Sequence, residues 1–533
     1  MPNSFKKFFL EEKIFYLLLF FLSAIVSFFY FNIVEQRAIN VAITLSNQIS
    51  QPDWFSYNYI ASHSMWSLTF SSLKLFINLG ININFLNFLI LFICLYMNAL
   101  GIYLISKSIS NEKIFSILVT CVVVIEVLNF GNLDYPVVFI SEHSNGMISQ
   151  ACCVLVFGLI ANKKIDSAVL FSLITIGLNL VVGAWLISIL LFSIFVLDRD
   201  FFKSFILKKK NIISLIVISL ILLISFYDFY HNRLVIPYTY NHSLYTTYLE
   251  VWDHHRSSKN FGINYKYIFL TIFMSLAIIY LIKDKQILKK NNFFLKLVIF
   301  QVFFSFIIYF FYKVFPNLFQ GIFLSVIPPR FFLIHSVFGV AIIISIIYLY
   351  SKILIKNKKI FRFILILIIL YPFLYFNKYS NKIKIAYENS IMGGDLKDYP
   401  FWNSIKEIDV TEGVLLTSNN ACSKTLQKAK KPILICIESI DGIPYVRKLA
   451  QPTKEIVEKI YEINFSNPPK KHRGGIWNDD DYKNVFEKRT YDQWIMIADE
   501  FKLKGLILPK EWNLQLDRSI VGRKFIYYDL KKN

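Results

Sequence analysis

Long apolar segments divide this chain, and the loops between them alternate in charge. The segments lie at about 14–33, 84–106, 114–130, 147–161, 167–181, 183–197, 211–229, 265–282, 293–312, 328–350 and 361–377. Several approach or reach the ~20 residues that cross ~30 Å of hydrocarbon. Within a bilayer only a helix or a closed barrel satisfies its own backbone. The pattern therefore predicts a mainly α, polytopic helical membrane protein with eleven spans. Composition agrees: 55% of the 533 residues are hydrophobic and the mean hydropathy is +0.49, more apolar than a soluble domain of this length. The first span is long and Phe-rich, without a small-x-small cleavage site, and reads as an uncleaved anchor.

The loops set the expected orientation. Loops 107–113, 162–166, 198–210, 283–292 and 351–360, with residues 1–13 and Arg362, hold 21 Lys+Arg and 7 Asp+Glu. The alternate loops 34–66, 131–146, 230–264 and 313–327 hold 5 Lys+Arg. The positive-inside rule then places the N-terminus in the cytoplasm. The net charge of +21 belongs to this bias and to anionic lipid. Nucleic acid is not an expected partner, because the aromatics sit in apolar spans and not in a basic groove.

Segment 65–80 is apolar but short, and carries Lys74. Were it to cross, every later basic loop would change sides, so it is expected to be an interfacial helix. Segment 167–197 must cross twice, and ~15 residues of helix reach only ~22 Å. Its turn, near residues 179–183, should lie below the outer surface, where irregular backbone must face protein or a wet cavity, so a cavity open to the outer side is expected.

From about residue 378 the composition changes to mixed polar and apolar, with 27 Lys+Arg and 21 Asp+Glu in 156 residues. β-type runs at 413–417, 432–437, 505–508 and 525–528 alternate with helical patterns at 453–463 and 491–502. This predicts a C-terminal α/β domain over 378–533 beside a transmembrane domain over 1–377. An odd number of spans puts that domain outside. Residues 467–481 read as a Pro/Gly-punctuated loop. No internal repeat is visible. Cys94, Cys121, Cys152 and Cys153 lie in spans, as small apolar groups. Cys422 and Cys436 either pair in an oxidising compartment or stay as buried thiols. No CxxC or metal-binding spacing occurs.

Ionisable residues gather at the outer span ends: Glu35, Asp53, Glu126, Asp134, Glu142, His143, Asp228, His231, Arg233 and Arg330. Charge near hydrocarbon is costly, so such groups are paired or functional, or else solvated just outside the membrane. Trp252, Asp253, His254, His255 and Arg256 form the sharpest local motif. It can stack on a sugar and hold a phosphate, or be a solvated loop. It is not a metal motif, since helix-borne ligands recur at i, i+4. Asp479–Asp481 reads as a solvated turn before a metal site, and Lys470–Arg473 as a solvated basic loop.

This layout suits sugar transfer from a lipid-phosphate carrier. An acceptor hydroxyl needs a general base, for which a carboxylate at the membrane face serves. The departing lipid phosphate needs cations or hydrogen-bond donors.

With a long first outer loop at 34–66, a second acidic loop at 134–142 and an outer tail, the chain resembles the GT-C superfamily of membrane glycosyltransferases. The end of the tail, Lys504–Pro509 and Lys524–Tyr528, is similar to outer domains of bacterial GT-C-like proteins. The resemblance implies a bacterial inner-membrane location, a lipid bilayer and a polyprenyl-phosphate sugar donor as partners, and a glycan, lipid or protein as acceptor. The family often shows two neighbouring carboxylates early in the first loop; here Glu35 and Asp53 are far apart. Asp53, with Trp54 beside it as a sugar platform, is the first choice of base, followed by Glu35 and Glu142. Arg256 and Arg330 are candidates for the carrier phosphate, with His143, Trp252, Asp253, His254 and His255 as further substrate-binding candidates. No cofactor is indicated, although a divalent metal is compatible. The alternatives are a transporter or flippase of lipid-linked glycans, which would show repeats and mid-membrane polar groups, and a non-catalytic scaffold.

Overall fold

The structure, a computed structural model, describes residues 12–30, 36–46, 48–49, 66–125, 145–198, 200–231, 233, 235–253, 265–283, 292–315, 335–354, 398–436, 440, 442–469 and 478–530. The first two-thirds is helical: α1 (Glu12–Tyr30), α2 (Arg37–Leu45), α3 (Leu68–Asn78), α4 (Ile83–Ser110), α5 (Lys113–Ile125), α6 (Asn145–Ala161) and α7 (Ile165–Leu178). There follow α8 (Leu180–Leu197), α9 (Phe201–Leu207), α10 (Lys209–His231), α11 (His242–Thr247), α12 (Tyr265–Lys283), α13 (Asn292–Val314) and α14 (Ser336–Leu354).

Five of these, α1, α4, α8, α10 and α13, are long and apolar enough to cross a membrane. The shorter apolar helices α5, α6, α7, α12 and α14 fall on five more expected spans. The last expected span, 361–377, lies outside the described residues. Helix α3, at eleven residues, reaches about 16 Å and is too short to cross, as its sequence predicts.

Small residues bring α4 and α6 into close contact. A Cβ on Gly101 would lie 2.5 Å from the Val154 carbonyl oxygen, and one on Gly158 would lie 2.8 Å from the Gly101 Cα. Without side chains at the crossing the two backbones touch, which is how helices gain packing energy where lipid offers no hydrophobic drive. One turn further on, the Asn162 amide donates to the Leu104 carbonyl at 2.9 Å. Around this pair α14 closes through Phe157 against Phe338, centroids 4.8 Å apart, and a Ser345–Ser106 hydrogen bond of 2.8 Å. Helix α13 meets α8 through Phe192 and Phe304, and Trp185 donates to Gln301 at 3.0 Å.

Three ion pairs mark one end of the bundle. Lys107 meets Glu12, Lys208 meets Asp166 and Lys352 meets Glu112. Lys113 and Lys164 lie over the rings of Phe15 and Tyr16 at this same end. Exposed pairs contribute little stability; their value here is positional. Segments that the charge pattern assigns to one side of the membrane lie together. A groove of about 480 Å³ between α12 and α14, lined by Phe273, Tyr280, Ile346 and Tyr350, opens along the helices that run toward this end.

The break between α7 and α8 falls at Asn179. Its backbone N–H ends α7 on Thr175, and its side chain accepts from Val182 N–H at 3.2 Å to start α8. Ser67 donates to the Leu178 carbonyl at 2.8 Å, so a residue just ahead of α3 satisfies the end of α7. Gly183 permits the tight return, since a Cβ there would lie 2.2 Å from Ile176 N. Asn179 is 1% exposed. The turn therefore packs against protein, and Asn179 does not face the outward-opening cavity expected there.

The tail contains α15 (Tyr399–Glu407), β1 (Val414–Thr417), α16 (Asn419–Lys424), α17 (Ala450–Ile460), α18 (Asp479–Lys488), α19 (Tyr491–Phe501), β2 (Leu503–Pro509), β3 (Arg518–Val521) and β4 (Phe525–Asp529). The sheet order is β1-β2-β4-β3, parallel between β1 and β2 and antiparallel elsewhere. The apolar runs at 413–417, 505–508 and 525–528 become β1, β2 and β4. The run at 432–437 does not form a strand among the described residues; it contributes one bridge, Leu415 to Ile433. Residues 478–488, expected in part as loop, start a helix. Asn478 and Asp481 form a capping box, a reciprocal pairing that satisfies two end amides. Tyr461, Tyr482, Phe486, Trp494 and Trp512 fill the core beneath. Arg489 lies against the Phe486 and Trp494 rings and pairs with Glu462 at 3.1 Å. Burial pulls its pKa down, and Glu462 opposes the shift.

Candidate functional site

Two joints bind the tail to the helical region, both at the end away from the three ion pairs. The first is an apolar cluster with a polar centre. Ala38, Ile39, Ala42 and Ile43 of α2 pack with Phe70 and Leu73 of α3, Leu86 and Ile90 of α4, and the tail's Cys422, Leu426, Ile433 and Cys436. Cys422 and Cys436 are buried thiols, not a disulfide. Inside this cluster the Asn87 side chain accepts from Gln36 N–H at 2.8 Å and donates to Gln427 at 3.0 Å. Gln427 donates in turn to Asn40 at 2.8 Å and to the Gln36 carbonyl at 3.2 Å. Asn40 donates to Ser423 at 2.9 Å.

The sequence sets up this geometry locally. Ser423 and Gln427 are four residues apart, on α16 and the π-turn Thr425–Ala429 that follows it, so both face the same way. The start of α16 is held by Asp479, whose carboxylate accepts from Asn419 N–H and from the Asn420 side chain, both at 2.8 Å. Tyr482 donates to the same carboxylate at 2.6 Å. Burial, then the neighbouring Tyr461 and Asp479, pushes the Tyr482 hydroxyl well above its usual pKa, so it remains a donor. Asp479 is thus a buried, hydrogen-bonded carboxylate and not a solvated turn. Among the described residues no group of His, Cys, Asp and Glu could hold a metal ion.

The second joint is the segment after α10. Tyr245 donates to the Pro444 carbonyl at 3.3 Å, Tyr248 to Ile440 at 2.8 Å, and Trp252 to Phe465 at 2.8 Å. All three aromatics lie in the core of the tail. This corrects the expectation that Trp252 offers an open face to a sugar. It is 2% exposed, and its ring stacks on Phe465 with centroids 5.5 Å apart. Asp253 is likewise buried, at 3% exposed. Trp252→Ala is expected to destabilise the tail by about 3–5 kcal/mol, read as a lower unfolding temperature in detergent, with Trp252→Phe losing less, about 1–3 kcal/mol for the Phe465 carbonyl left without its donor. An unchanged unfolding temperature in the alanine variant would return Trp252 to the ligand side.

A third set of contacts joins α3 to the far end of α10. Trp66 donates to Ser225 at 3.0 Å, Ser71 and Ser225 share a hydrogen bond of 2.8 Å, and Lys74 pairs with Asp228 at 3.1 Å. Asp228 is therefore half of an ion pair that keeps Lys74 near the membrane. His231 lies tilted against the Tyr227 ring, and Arg233 lies over Phe229.

Glu35, Asp53, Trp54, Glu142, His143, His254, His255, Arg256 and Arg330 lie outside the described residues, as do Glu126 and Asp134. What the structure places is the chain beside them. Gln36, next to Glu35, has both its backbone N–H and carbonyl bonded within the first joint. Trp66 closes the long first loop on α10, and Asp253, next to His254, is buried in the second joint. Gln36, Asn40, Asn87 and Gln427 went unsingled in the sequence, where nothing local marks them.

No family model matches this sequence, and no curated protein matches it. Among solved structures the chain is similar to the archaeal oligosaccharyltransferase AglB from Archaeoglobus fulgidus, determined in complex with an inhibitory peptide and a dolichol-phosphate. The identity is 10% and the TM-score 0.37, over 93% of this chain and 70% of that one. At that distance the likeness assigns no residue.

Proposed function

We propose that the chain is a GT-C-type membrane glycosyltransferase. It transfers a sugar from a polyprenyl-phosphate carrier to a cell-envelope acceptor at the outer face of a bacterial inner membrane, with the tail on that side. The supporting observation is the division of the molecule into two chemically distinct ends. Lys107, Lys208 and Lys352 are neutralised together at one end. At the other, the tail is bonded to the segments that adjoin Glu35 and His254 in the chain. A carboxylate base and cations for a leaving phosphate belong at a single membrane face. Asp53, Glu35 and Glu142 are the proposed catalytic carboxylates. Trp54, His143, His254, His255, Arg256 and Arg330 would contact donor or acceptor.

Two measurements test this. Purified protein in liposomes, given radiolabelled polyprenyl-phosphate sugars and an envelope fraction, is expected to move label onto the acceptor; no transfer with any donor would overturn the assignment. Compartment reporters fused after Lys209 and after Lys382 are expected to report opposite sides of the membrane. Both on one side would remove the eleven-span topology and the outer placement of the tail.

A further inference from the structure

The hydrogen-bonded group Gln36, Asn40, Asn87 and Gln427 draws on three separate parts of the chain: the entry to α2, the start of α4, and the tail. Gln36 and Asn40 are 0% exposed, Asn87 3% and Gln427 4%. An apolar joint between α2 and the tail would hold as firmly, and could slide. A buried amide network has one arrangement in which its donors meet acceptors, and any slip leaves polar groups unsatisfied at about 1–3 kcal/mol each. Such networks are best attested as register devices.

What is held in register is specific. Gln427 bonds the carbonyl of Gln36, the cap residue of α2, and the side chain of Asn40 one turn on, while Asn87 holds the Gln36 N–H. In the chain, α2 lies between Glu35 and Asp53. From the tail side Asp479 anchors the helix that presents Ser423 and Gln427.

We propose that Gln427 is a positioning residue for sugar transfer: from the tail, it fixes α2 in one register against α4. This rests on the transferase reading above. Gln427 touches no reacting atom in this role; it acts through α2. Its loss should therefore slow turnover more than it weakens donor binding, because misplacement of a reacting group by about 1 Å is enough to cost about 100-fold.

The test compares wild type, Gln427→Leu, and the triple change Gln427→Leu, Asn40→Leu, Asn87→Leu, all in full-length protein in liposomes. Donor KM and kcat are measured beside labelling of Cys422 and Cys436 by a membrane-impermeant maleimide. Both thiols are buried at this joint in wild type. Gln427→Leu is expected to lower kcat at least about tenfold with KM little changed, and to open both thiols to label. The triple change removes the three side-chain amides together, although Gln36 N–H loses its Asn87 acceptor, and should restore most of the thiol protection and thermal stability lost in Gln427→Leu while kcat stays low. Recovery of kcat in the triple variant would show that the network only stabilises, and would overturn the proposal. So would wild-type kcat in Gln427→Leu. A wild-type protein that transfers no sugar is a different result: it overturns the transferase reading itself, and this role with it.

Discussion

Gly101→Leu is expected to prevent the bundle from assembling. Helix propensity alone would favour leucine over glycine by up to ~1 kcal/mol, so any loss must come from packing. The first carbon of a side chain at 101 would sit 2.5 Å from Val154 O and 2.9 Å from Leu155 N. These are backbone atoms of a buried helix and cannot rotate away. Relief requires α4 and α6 to separate, and α4 also carries α1, α5 and α14. Overpacking against movable side chains costs about 1–3 kcal/mol; against backbone, in the middle of the largest apolar cluster, the penalty should exceed what the fold can absorb. Little monodisperse protein should survive detergent extraction. Gly339→Ala is the contrast: its new carbon meets the Met274 sulfur at 3.2 Å, a flexible group, and near-normal yield is expected. Wild-type yield and unfolding temperature for Gly101→Leu would show that the two helices are not in contact.

Asp53→Asn is expected to reduce transfer by about 10²–10⁴-fold, the usual contribution of a general base. The change keeps size and hydrogen-bonding reach and removes the ability to take a proton, so protein level and donor binding should be unaffected. Initial rates at saturating donor give the answer, with Glu35→Gln and Glu142→Gln measured alongside. Unchanged product from normally expressed Asp53→Asn would remove Asp53 as the base. A large loss in Glu35→Gln or Glu142→Gln would then identify its replacement.

The spans and strands β1, β2 and β4 were legible because an apolar environment on all sides leaves a long or continuous apolar run. Strand β1, with all four residues buried, is such a case. Strand β3 was not legible: Arg518 and Ser519 face solvent at the sheet edge, and an exposed edge needs no apolar pattern. The start of α18 carried a readable signal that the acidic run obscured. Asn478 followed three residues later by Asp481 is a capping pair, and Asp479–Asp481 complement the positive end of the helix. Trp252 shows a different limit. A sugar platform and a core anchor have the same composition, and what decides between them, Phe465, is more than 200 residues away. The same holds for Gln427, whose partners on α2 lie almost 400 residues earlier. Contacts of that separation leave no trace in a local window. Of the expected site, the sequence indicated which membrane face to search, and the structure adds how the tail grips the neighbouring chain.

The return at Asn179 also bears on how the protein is made. Helix α7 has fourteen residues and rises about 21 Å, short of the ~30 Å it would have to cross. Leaving the ribosome alone, it is a poor stop signal. Its partner α8 emerges immediately afterwards, joined through a single capping residue and pressed against it at Gly183. On that arithmetic the unit handed to the insertion machinery is the hairpin and not the helix. A polar or bulky change at the bend would then act before folding begins, by letting half of the pair slip back out of the lipid.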